Sequence, residues 1–236
     1  MKPPPHGDTG NLGRLNRGSD PEGVLNLQAV IAERRQKNRA VPRAFVQAVI
    51  ANDVEALSST LNDLGSVFDG WKRALRLCAS LTNVRPETKE WFLRAWCRGG
   101  DDLRDNVSGD LVLTAGLRAL LPPYTGTGMT LFRGDSAFNR RRRTYGLSWS
   151  ASEDVADGFA QGMWRSFQGG SVLLRSEVPP EAILCCPLMH RDDEYGEEEY
   201  LIDSRLLRSV TVLRRYPQTS FVRGDVSGAG APTATP

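Results

Sequence analysis

The sequence predicts an α+β protein in which a helical half is followed by a strand-rich half. From about residue 21 to 121 apolar residues recur at helical spacing, whereas beyond Pro123 they fall in short β-rich runs. The two textures do not alternate, as the parallel sheet of a βαβ nucleotide-binding fold would require, and no Gly-x-Gly-x-x-Gly loop occurs.

Taken in order, residues 1–20 are rich in Pro, Gly, Asp and Asn and read as a disordered tail. Asp20 is placed to cap a helix that has Pro21 at its first position. Phe45, Val46, Val49 and Ile50 continue helical spacing, as do Trp71, Leu75 and Cys78, and Trp91, Phe92, Leu93 and Trp96 form a further apolar cluster. Ser108-Gly109-Asp110 introduces a last helix that stops at Pro122-Pro123, so 21–121 is expected to be one helical segment. The runs MTLFRG, TYGLSWS, GGSVLLRSEV, AILCC, EYLID and RSVTVLRR then read as strands, within a segment spanning 122–223. One helix is expected among them, from the N-cap Ser152 to about Ala160, with Glu153 and Asp154 in its first turn. Residues 224–236 carry no large apolar side chain after Val226 and read as a second disordered tail.

Composition narrows the function classes. A chain of 236 residues with 40% hydrophobic and 25% charged residues needs no disulfide or metal staple to build a core. Its net charge of +2 argues against a dedicated nucleic-acid coat or a polybasic membrane binder. The balance hides local asymmetry: residues 133–150 carry five arginines against one aspartate, and residues 191–199 one arginine against six acids. Lysine is confined to Lys2, Lys37, Lys72 and Lys89, and every other basic residue is arginine, which suits bidentate contacts to phosphate and carboxylate but also fits a GC-rich coding bias. The cysteines, Cys78, Cys97, Cys185 and Cys186, form no Cys-x-x-Cys pair, and with only His6 and His190 beside them no metal site is expected. The start of the chain has no apolar signal region and no apolar run reaches membrane-helix length, so a cytoplasmic protein, or one delivered to a target cell without a cleaved signal, is expected.

Three short pieces carry the candidate chemistry: Leu131-Phe132-Arg133-Gly134, Gly146-Leu147-Ser148-Trp149-Ser150, and Gly196-Glu197-Glu198-Glu199-Tyr200-Leu201-Ile202. Alone, each has an ordinary reading as a surface ion-pair partner, an alternating strand or a solvated acidic loop. In this order they resemble the R-S-E class of mono-ADP-ribosyltransferases, a family that includes bacterial and phage toxin-like enzymes. Its pattern is an aromatic residue and Arg on one strand, Ser-x-Ser on another, and Glu/Gln-x-Glu entering a third. The resemblance covers about residues 110–216. It extends to Phe159, eleven positions beyond Ser148, matching the aromatic residue that packs on nicotinamide in related enzymes.

The resemblance implies a split β-sandwich of two packed, mostly antiparallel sheets, with the helical segment against one side. It implies NAD as a substrate, no metal, and transfer of ADP-ribose to an acceptor. Arg133 would grip an NAD phosphate, with Gly134 allowing close backbone approach. Glu199 would stabilise the ribosyl cation and hold a ribose hydroxyl. Ser148 would orient Glu199, Ser150 would line the NAD site, and Phe159 would face the nicotinamide. Glu197 would share a strand face with Glu199 and serve the acceptor, which favours protein arginine. Glu198 and Glu199 exchange roles if the strand begins one residue later. Trp149 stands where many relatives have Thr; it either packs in the core against the upstream helices or reshapes the substrate side.

Other features stay open at this level. Asn139-Arg140-Arg141-Arg142-Arg143 reads as a loop that contacts NAD phosphates, an acidic protein or a nucleic-acid backbone, or is merely solvated. Tyr195 and His190 are acceptor-facing candidates, and Arg165 is a further phosphate candidate. The helical segment is scaffold, an antitoxin or regulator contact, or a target-docking surface. Modification of nucleic acid, and a non-catalytic binding module on the same fold, are the alternative functions.

Overall fold

The computed structural model describes residues 21–187 and 198–219. The expected tails, the N-cap Asp20, and the candidates His190, Tyr195 and Glu197 lie outside the described residues.

The helical half comprises α1 (Pro21–Ala51), α2 (Val54–Ser66), α3 (Gly70–Cys78), α4 (Pro86–Val107) and α5 (Asp110–Leu120). Its boundaries follow from local chemistry. The chain leaves α1 through Asn52, in the left-handed region at φ 57°, and Asp53 then caps α2 by accepting from the Ala56 amide at 3.0 Å. Proline opens α4, and Gly99 breaks its helical geometry midway. Helix α1 carries Pro42 in its interior, where proline removes a backbone donor. Packing holds the helix there: Phe45, Val46, Ala48 and Val49 are buried immediately after it. Ile50, expected on the core side, is exposed.

The strand half comprises β1 (Met129–Ser136), α6 (Ala137–Arg142), β2 (Ser148–Ser150), α7 (Glu153–Gln161), β3 (Ser171–Val178), β4 (Ile183–Cys185), β5 (Glu199–Ile202) and β6 (Thr211–Tyr216). Helix α7 starts as expected, with the Ser152 hydroxyl accepting from the Val155 amide. The arginine run expected to be a loop instead forms the end of α6, because Ser136 accepts from the Asn139 amide and starts a short helix.

All six described strands join one antiparallel sheet in the order β4-β5-β2-β1-β3-β6. The two separate sheets expected are therefore not seen among the described residues. The sheet is uneven. Strands β1 and β3 pair along eight residues, whereas β1 and β2 meet only at Phe132 and Ser150. A register shift bends it between Leu173 and Leu174, and another between Ile183 and Cys185.

Strand alternation gives the two faces different coverings. On one face, Ala156 and Ala160 of α7 pack with Leu173 and Phe132, while helices α1–α5 share a core with Leu184, Cys185 and Leu201. On the other face, Leu131, Trp149, Val172, Leu174 and Ile202 form a separate core with Tyr145 and Ala182. Among the described residues no helix is long and apolar enough to cross a membrane.

Candidate active site

Strands β5, β2 and β1 are consecutive in the sheet, so the three motifs lie side by side. Phe132 is opposite Ser150, and Ser150 is opposite Glu199. Directly opposed residues point to the same face, with Cβ atoms about 4.5–5.5 Å apart in general. Phe132, Ser150 and Glu199 thus form one row on the helix-covered face. The row runs from under α7, which packs on Phe132 and also reaches β2, toward the part of the sheet that α5 covers at β4.

The serines divide differently from expectation. Ser148 is opposite Leu201, so it reaches Glu199 only diagonally, and Ser150 is the direct neighbour. Ser150 is buried, and its hydroxyl accepts from the Ser152 amide at 3.0 Å, joining the end of β2 to the cap of α7. Sequence alone does not fix this choice, because it depends on the β2–β5 register. Glu199 is half-buried and is the first residue of β5. Glu198 precedes it in the left-handed region at φ 47°, and its carbonyl accepts from the Ala151 amide at 3.1 Å. A non-glycine residue held at positive φ is strained. Strand β5 begins at the next residue, so Glu199 rather than Glu198 is paired with Ser150 in the ladder. Phe159 lies on α7 and is about half exposed.

Arg133 sits on the opposite side of the pleat, in phase with Leu131 and Asp135. Its Nε donates to Asp135 Oδ2 at 2.8 Å and its Nη1 to the Ser148 carbonyl at 2.5 Å. The guanidinium lies against Gly146, where a Cβ would come within 2.2 Å of Nη2. Its side chain is only 13% exposed. Arg133 is therefore a tie between β1 and β2, at the point where the strands share one bridging pair. A bidentate grip on phosphate, through Nη1 with Nη2 or Nε with Nη2, would draw on one of those two engaged nitrogens. Gly134 likewise has a local reason for lacking a side chain. A Cβ there would stand 2.3 Å from the Ala160 nitrogen and 2.4 Å from the Ala156 oxygen, so glycine admits α7 at this point.

One contributor, Asp135, escaped the sequence reading. Asp135 is fully buried; besides Arg133 it accepts from the Ser136 amide at 2.7 Å and from Asn139 Nδ2 at 2.8 Å. The Arg133-x-Asp135 spacing puts both side chains on one strand face, which is the signal that could have found it. Trp149 is core, as one of its two readings had it, but packs with Leu131 and Tyr145 rather than the upstream helices. Its indole nitrogen donates to the Gly146 carbonyl at 3.1 Å. Arg165 donates to the Pro217 carbonyl at 3.4 Å, which ties the turn after α7 to the chain beyond β6. Burial pushes the Cys185 thiol up to about 12, with the charge of Glu199 among the smaller contributors, so Cys185 is a neutral packing residue near the candidate carboxylate.

Comparison with protein-family models, curated proteins and solved structures finds no match to this chain.

Proposed function

We propose that the chain is an NAD-dependent mono-ADP-ribosyltransferase. The observation that supports this best is the single row Phe132–Ser150–Glu199 across three adjacent strands. The R-S-E pattern needs its motifs side by side, and residues far apart in sequence meet here in that order. The two-layered fold of the family would correspond to the halves β4-β5-β2 and β1-β3-β6, which join through one bridging pair.

In this reading Glu199 faces the ribose of NAD. Departure of nicotinamide builds positive charge on the ribose carbon, and a fixed carboxylate in a partly dry setting lowers the barrier. Ser150 takes the positioning part expected of Ser148, since it is the direct cross-strand neighbour of Glu199. Phe159 offers its exposed ring to the nicotinamide. Arg133 acts from behind the sheet by fixing β2 against β1 through Ser148. Glu197 would serve the acceptor, with protein arginine favoured. The test is release of nicotinamide from NAD. Glu199→Gln should slow it by about 10²-fold or more while leaving the thermal melt near that of the wild type. Equal rates in the two proteins would remove the reading.

A further inference from the structure

We propose that the structure holds a second ligand site, for a small phosphate-bearing anion, on the face of the sheet away from Glu199. A pocket of about 240 Å³ is lined by Arg140, Arg143, Arg205 and Arg208, with Ser204, Ser209 and Tyr145 among the remaining walls. The arginines come from the end of α6 and from the segment between β5 and β6, so the pocket is a convergence of two distant stretches of chain. Of its lining residues, Tyr145 belongs to the core that holds Trp149 and Val210 packs against it, on the pleat face opposite Ser150 and Glu199.

Among the described residues the charge there is not internally balanced. Arg205 is paired with Asp203 at 2.7 Å. Among the described residues no carboxylate lies within ion-pair distance of Arg140, Arg143 or Arg208, and no acid lines the pocket. The Nε of Arg140 is buried and finds no hydrogen-bond partner among the described residues. Arg140 as a whole is half-buried, but an unpaired buried donor is costly, and clustered cations repel. An anion with several oxygens would satisfy both. The helix dipole explains why arginines occur in the last turn of α6. It does not explain why Arg208 joins them from elsewhere, nor the serine hydroxyls beside them.

Guanidinium forks and hydroxyls are the side chains that suit phosphate oxygens. The volume is below the roughly 300–1,000 Å³ of pockets that hold drug-sized ligands. It therefore suits phosphate, diphosphate or a small phosphate monoester, not a dinucleotide. This inference does not depend on the proposed activity, and its test does not use NAD.

Titration calorimetry on the full chain at about 0.15 M salt should show one saturable site for inorganic pyrophosphate or for glycerol 3-phosphate. The tighter of the two tells an inorganic ligand from an organic ester. Arg208→Gln, at an exposed position, should weaken binding roughly tenfold or more. Arg143→Gly should do the same; its left-handed backbone at φ 56° accepts glycine without strain. Arg215→Gln, which removes an equal charge from exposed β6 outside the pocket, should leave binding unchanged. Absence of saturable binding would overturn the site. So would equal weakening by all three variants, or binding confined to a long DNA or heparin polyanion.

Discussion

Asp135 shows how much depends on single side chains beneath the candidate site. It is a fully buried carboxylate whose partner, Arg133, has little access to water and also holds the Ser148 carbonyl. Removing one member of such a pair strands the other. Asp135→Ala should therefore destabilise the fold by roughly 3–5 kcal/mol, read as a lower urea midpoint, although it touches neither Ser150 nor Glu199. At this scale the sequence exposed the motif residues but not all of their jobs. Arg133 was visible as an arginine on a strand. That its nitrogens are engaged by Asp135 and Ser148 follows from the pleat and from the β1–β2 pairing. Ser150 rather than Ser148 as the neighbour of Glu199 follows from a register that no local pattern encodes.

Helix α7 is the element whose placement decides the shape of the site. Its N-cap Ser152 and its extent were legible, because capping and the acidic first turn are local signals. Its packing partner was not, because close approach to β1 needs both elements in hand. Gly134→Ala tests that approach. The added Cβ would meet backbone atoms of α7 at 2.3 and 2.4 Å, and a helix backbone yields less readily than a side-chain tip. We expect a loss of about 1–3 kcal/mol in chemical denaturation, with faster amide exchange in α7 and β1. All six described strands also coincide with β-rich runs in the sequence, since β-branched residues and bounding turns are local. Their union into one sheet is a matter of long-range pairing; the two sheets were expected only from the family resemblance, and one is seen among the described residues. α6 was missed because six residues give too short a window for helical periodicity.

Across the whole molecule, Asp203 links the halves electrostatically. Burial pushes its carboxyl up, but hydrogen bonds and charge from Arg205, with Arg118 of α5 adding to them, hold it below the usual carboxylate range. Arg205 also donates to Thr114 of α5 at 2.8 Å. A carboxyl with a lowered folded-state pKa gives its stabilisation in full above the unfolded value near 4. That stabilisation is lost as pH falls through the lowered value. Asp203→Asn should therefore be less stable than the wild type at pH 7, and the difference should shrink as pH falls below about 4. Paired melting curves across that range would show it.

The apolar core spanning α1–α5, β4 and β5 carries a consequence for how such a chain can be inherited. Leu147, Leu184, Cys185 and Leu201 are buried together with Phe45, Leu75, Phe92 and Leu117. A recombination event that cut near residue 121 and donated only the strand-rich half would deliver a sheet with a bare apolar flank. Residues 122–236 expressed alone should aggregate or bind a hydrophobic dye, whereas the full chain should not. The two halves would then pass between genomes as one unit.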